Sequence, residues 1–180
     1  MSDLFQDGVS NYTIRRVMRI IEQCPQHTFQ ILTKRAERMA DYFEYNPVTK
    51  NVWLGVTCEN QETADERIPH LLSIDAPVRF LSCEPLLGSI NLKPGVWIPP
   101  AGGGSKANLF KPWEEPLPSI DLVIVGGESG HNARPMHPDW ARSIRDQCQS
   151  TGIPYFFKQW GEWGFEPYPN KSMIPSIVAR

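Results

Sequence analysis

Clustered cysteine, long apolar runs and an excess of basic charge are all missing from this 180-residue chain, and each absence closes off a class of function. Its four cysteines, Cys24, Cys58, Cys83 and Cys148, lie far apart and form no CxxC, so neither a zinc finger nor a dithiol oxidoreductase motif is present and reduced thiols are the default. Cys58 and Cys83 close successive strand-like runs, but two thiols make no metal centre without two further ligands. No apolar run approaches the roughly 18 residues of a membrane span, and the start, Met1 to Phe5, has neither the basic patch nor the apolar stretch of a signal peptide. A cytoplasmic protein without a membrane partner is expected. A net charge of −2 speaks against a broadly basic nucleic-acid surface while leaving room for a local basic groove. GxGxxG, HExxH, a phosphate loop and a Ser/His/Asp order are absent too, and His131, His137 and Asp139 have no zinc-helix spacing. There is no solenoid repeat; Gly102-Gly103-Gly104 is the one low-complexity run and reads as linker.

What remains is ordinary globular composition, 41% hydrophobic and 21% charged, at a length that suggests one domain spanning residues 1–180. Helical periodicity runs from Tyr12 to Ile21, with Ser10 or Asn11 as the cap, from Arg35 to Tyr45, and from Glu62 to Ser73 through Pro69. His137-Pro138-Asp139 opens a fourth helix with proline in its first turn and an acid at the positive end of its dipole, and Gly152 closes it. Between these lie β-rich runs at Phe29–Thr33, Val52–Thr57, Val78–Ser82, Leu122–Val125 and Tyr155–Phe157. Residues 88–119, rich in Pro and Gly, read as an excursion from the core. The alternation predicts an α/β fold of parallel strands joined by right-handed crossover helices, either as a barrel or as an open sheet.

Each strand-like run stops at a polar cluster, which is where parallel α/β folds assemble their sites. Thr33, Lys34 and Arg35 offer a hydroxyl and two cations, a fit for a carboxylate or phosphate; they also suit the solvated opening of a helix. Glu59 and Glu84 follow the second and third strands, and Glu84 can accept hydrogen bonds from a ligand or stand as a surface acid before Pro85. Gly126, Gly127, Glu128 and Ser129 let backbone approach a ligand while Glu128 holds an amino group or ribose hydroxyl; the plainer alternative is a turn with a solvated acid. Lys158 and Gln159 stand beside Trp160 and Trp163, a set that brackets a base by stacking or closes the core.

The segments PQHTFQILTKRAERM, NVWLGVTCENQETADERIPHLL, VRFLSCEPLLG, DLVIVGGESG, ARPMHPDWARSIRDQC and FFKQWGEW, together with the opening MSDLF, resemble one group: the phage-associated radical-SAM-like family with an upstream three-cysteine motif. The resemblance covers most of Met1 to Trp163. It implies a partial TIM-barrel-like fold and a substrate- or cofactor-orienting role, with S-adenosylmethionine and an iron-sulfur cluster belonging to full-length relatives. It departs from the family pattern in having no three closely spaced cysteines, the ligands a site-differentiated four-iron cluster needs, so no cofactor is expected on this chain alone. The tail from Phe165 also departs. The expected chain is therefore the later part of a barrel, from an internal start, a truncated gene or a split one. A separate cysteine-bearing segment would be its partner.

Further expectations follow. Lys34, Glu84, Glu128 and Lys158 converge on one face; an open sheet edge at Phe29–Thr33 or its neighbour promotes self-association; and restoring the family's N-terminal segment improves solubility. The alternative function is a nucleic-acid or protein-binding module without catalysis, with Lys158, Trp160, Trp163 and Arg134 as its contact face.

Overall fold

Helices and strands alternate along residues 3–92 and 120–163, which the computed structural model describes: α1 (Asn11–Glu22), β1 (Phe29–Thr33), α2 (Ala36–Glu44), β2 (Val52–Thr57), α3 (Gln61–Leu72), β3 (Val78–Cys83), β4 (Leu122–Gly126), α4 (Pro138–Thr151) and β5 (Tyr155–Gln159). The strands form one sheet in the order β1-β2-β3-β4-β5, and the β1/β2 and β4/β5 pairs are parallel. This is the expected α/β fold. Consecutive order is what successive right-handed crossovers in one direction give, without the reversal point of a doubly wound sheet. Gly102–Gly104, the greater part of the Pro/Gly excursion and the tail from Phe165 lie outside the described residues.

The chain divides into two compact units, each assembled from separated stretches. The first comprises Met1–Val56, Asp65–Phe80 and Lys93–Asp121. Within it α1 starts at Ser10, whose hydroxyl accepts from the Thr13 amide, and its 3.6-residue repeat buries Ile14, Met18 and Ile21. Phe5 is fully buried, meeting Phe43 edge-on at 6.0 Å and Tyr42 at 6.1 Å. Its burial contributes roughly 1.5–3 kcal/mol. Arg38, from α2, donates to the carbonyls of Phe5, Gln6 and Val9 and so fastens the stretch that leads into α1. Asn51 holds the turn after α1 by donating to the carbonyls of Ile21, Cys24 and His27.

The second unit comprises Thr57–Ala64, Leu81–Leu92 and Leu122–Arg180. Its core holds Leu81, Leu86, Ile90, Val123, Val125, Ile144 and Cys148. α4 has His137 as N-cap, its Nδ1 accepting from the Asp139 amide, and Gly152 as a left-handed C-cap. The start of the excursion is not loose. Ile90 is buried, Gln147 of α4 donates to the Ile90 carbonyl at 2.9 Å and accepts from the Leu92 amide at 2.6 Å, and Gln61 accepts from the Asn91 amide at 2.7 Å. Residues 88–92 are thus held against the second unit through the buried Ile90 and through two glutamine side chains that satisfy their backbone groups.

Candidate functional site

The carboxyl ends of β3, β4 and β5 bring four of the expected residues together in the second unit. Glu84 directly follows β3 and precedes a cis peptide bond to Pro85. The next residues are pinned on both sides: the Leu86 amide donates to the Gly126 carbonyl at 2.9 Å and the Leu87 amide to the Glu59 carbonyl at 2.7 Å. One Glu84 oxygen accepts from Lys158 Nζ at 2.9 Å and the other from Gln159 Nε2 at 3.0 Å. Gln159 Nε2 also donates to Ser129 Oγ at 3.0 Å. The Glu84 side chain is 19% exposed and that of Lys158 52%, so the carboxylate is the fixed inner member and the ammonium faces outward.

Two neighbouring strand residues normally point to opposite faces of a sheet. Lys158 and Gln159 nonetheless reach the same carboxylate, and the β4/β5 register gives the reason. Val125 pairs with Phe157 but Gly126 pairs with Gln159, so Lys158 is an extra residue in a β-bulge. A bulge re-aims a side chain, and bulges are enriched beside active sites for that reason. Here the strand runs on to Gln159 rather than ending at Phe157 as the sequence suggests, and both polar residues are part of it.

The glycines contribute closeness. A Cβ on Gly126 would lie 3.1 Å from the Glu84 carboxyl carbon, and one on Gly127 would fall on the Trp160 carbonyl. Backbone without side chains thus lets Glu84 lie against β4 and lets the Gly127 amide donate to the Gln159 carbonyl at 2.9 Å.

Glu128 takes a different place from the one its sequence suggests. Its carboxylate accepts from Nε, Nη2 and the backbone amide of Arg134 at 2.7–2.8 Å, a bidentate fork that clasps the loop after β4. Glu59 is buried; its amide donates to Thr63 Oγ1 at 2.9 Å, and its charge acts on Cys83 and Arg134. In the first unit, Thr33, Lys34 and Arg35 surround the carboxylate of Asp3. Thr33 Oγ1 donates to both its oxygens at 2.8 and 2.9 Å, the Lys34 amide at 3.1 Å and the Phe5 amide at 2.9 Å, with Arg35 Nη1 at 3.4 Å. Burial pushes the Asp3 carboxyl up, but these hydrogen bonds and the Arg35 charge outweigh it, so Asp3 titrates below its ordinary value. Of the four residues expected to converge, Glu84 and Lys158 meet, Glu128 pairs with Arg134, and Lys34 belongs to the other unit.

The thiols do not fit an iron-sulfur cluster. Cys58, Cys83 and Cys148 are buried. Burial, then the neighbouring thiols and Glu59, push Cys83 well above its ordinary value, and burial pushes Cys148 up to about 11. A site-differentiated cluster takes three grouped thiolates, and among the described residues no three His, Cys, Asp or Glu side chains are grouped to hold a metal. No helix among them is long and apolar enough to cross a membrane.

Residues 1–173 match a family described as "Protein of unknown function (DUF5131)". No curated protein and no solved structure matches the chain. The family match carries no activity, and neither phage origin nor a radical-SAM relation follows from it.

Proposed function

The chain belongs to the DUF5131 family, and we propose that it is a cytoplasmic, phage-associated protein acting as the ligand-orienting part of a radical-SAM-like enzyme. The supporting observation is the bulge at Lys158, which turns two consecutive residues of β5 toward Glu84 at the carboxyl ends of β3 and β4. In this reading Lys158, with N–H groups still turned to solvent, takes an anionic group of a substrate or of S-adenosylmethionine. Glu84 takes its hydrogen donors, and Gln159 and Ser129 fix the orientation. In this reading a separate cysteine-bearing segment holds the iron-sulfur cluster. The sequence motifs that resemble the radical-SAM-like family supply the enzyme class.

In the alternative contact face built on Lys158, Arg134, Trp160 and Trp163, each of these side chains already has a partner within the chain, as Lys158 has in the first reading. Glu84 and Glu128 neutralise its cations, Trp163 donates its indole N–H to the Ala133 carbonyl, and Trp160 packs on Phe157 at 4.7 Å.

Calorimetric titration of the 180-residue chain with S-adenosylhomocysteine, which needs no cluster to be stable, tests the reading. Saturable binding is expected, weakened about tenfold, some 1.4 kcal/mol, by Glu84→Gln or Lys158→Met. No saturable heat, or equal affinity in both variants, would remove the rim as a site for that ligand.

A further inference from the structure

α1 carries three arginines on its outward side, Arg15, Arg16 and Arg19, all exposed, and none has a carboxylate or carbonyl partner among the described residues. The contrast with the other described arginines is sharp. Arg35 is held by Asp3, Arg134 by Glu128, Arg142 by Asp139 and Arg145 by Asp146, and Arg67 Nε lies 3.8 Å from a Glu66 oxygen. Arg38 and Arg79 donate to backbone carbonyls. On the same side of α1, Tyr12 is 68% exposed and Ile20 57%, and Arg16 lies over the Tyr12 ring at 5.9 Å. An aromatic face and three unneutralised guanidinium forks thus share one helix of 12 residues.

We infer that this outward side of α1 is a docking surface for single-stranded nucleic acid. Guanidinium groups match phosphate oxygens in pairs, and an exposed tyrosine gives a base a ring to stack on. At about 1.5 Å of rise per residue, Arg15 and Arg19 stand about 6 Å apart along the axis, so neighbouring phosphates are within reach of separate arginines. An acidic membrane is a poorer fit. The apolar residues that would enter lipid, Ile14, Met18 and Ile21, are committed to the core, and Tyr12 and Ile20 stand about 12 Å apart along the axis with the arginines between them. The overall charge of −2 does not oppose this, since counterion release depends on the phosphates neutralised locally.

The surface is independent of the Glu84 rim, and its test is separate. Fluorescence anisotropy of a labelled single-stranded oligonucleotide of mixed sequence, titrated with the full chain at several salt concentrations, is expected to show log K falling against log salt with a slope of about −2 for three phosphate contacts. Arg16→Gln flattens that slope by about 0.7, Tyr12→Ala weakens binding about fivefold or more, and Arg15→Gln/Arg16→Gln/Arg19→Gln abolishes it. Arg142→Gln, on α4, leaves binding unchanged. Circular dichroism reports whether the triple variant is folded; if it is not, Arg16→Gln and Arg19→Gln singly decide. Absence of saturable binding at low salt overturns the inference. So does an arginine variant that binds as tightly as the parent, or binding confined to phosphatidylserine vesicles.

Discussion

Thr33, Lys34 and Arg35 make a site for an anion, and the anion is the chain's own Asp3. The sequence offers these residues to the carboxylate or phosphate of a ligand, whereas in the structure the Thr33 hydroxyl, the Lys34 backbone amide and the Arg35 guanidinium meet an internal carboxylate, a pairing that nothing local announces across thirty residues. Glu84 is similar: it, Lys158 and Gln159 are each visible as strand-end polar residues, while their meeting depends on a bulge that no residue type announces. Asp3 yields a pH prediction. Its carboxyl is held below the ordinary value, so the folded state gains from the ionised form above the unfolded carboxyl's range near 3.9. It loses that gain as pH falls through the lower folded value. Urea melts of the parent are expected to lose stability below about pH 4 more steeply than those of Asp3→Asn. At neutral pH that variant is weaker by about 1–3 kcal/mol, the worth of hydrogen bonds to a charged group. Parallel pH profiles for the two chains would remove Asp3 as the titrating group.

At the scale of elements the sequence was largely sufficient, since caps and periodicity are local. Ser10 opens α1, His137-Pro138 opens α4, Gly152 ends it, and β1 and β2 lie where their β-branched and aromatic runs place them. The misses share a cause in tertiary partners: β5 is longer than its apolar run because β4 continues to offer it hydrogen bonds, and residues 88–92 are ordered by Gln61 and Gln147. α3 shows a cap that apolar spacing alone does not reveal. Asn60 Oδ1 accepts from the Thr63 amide at 3.0 Å while Thr63 Oγ1 accepts from the Asn60 amide at 3.2 Å, a reciprocal arrangement, and from the Glu59 amide at 2.9 Å, which also fixes the exit of β2. Asn60→Ala is expected to cost about 1 kcal/mol in chemical denaturation, and Asn60→Asp, which keeps the acceptor, a few tenths at most. Equal losses in the two variants would mean that the cap contributes nothing.

For the whole molecule, the alternation of helix and strand predicted parallel α/β, and the consecutive order of strands agrees with crossovers of one hand. The division into two interleaved units was not legible, since it follows from packing between stretches far apart in sequence. The order also sets a physical problem. β1 and β5 stand at its two ends, and both carry large apolar side chains to solvent, Leu32 at 41% and Phe156 at 56% exposed. End strands leave backbone donors and acceptors for another chain, and natural sheets blunt them with charge or proline. β1 has neither within Phe29–Thr33, whereas β5 carries Lys158. Association is therefore expected to run chiefly through β1. Light scattering on the purified chain should show oligomers that grow with concentration, and Leu32→Lys should shift them to monomer more than Phe156→Lys, because only the first adds charge to an edge without any. A parent chain that stays a monodisperse monomer across the concentration range would show that these edges are protected, and the argument from β1 would fall.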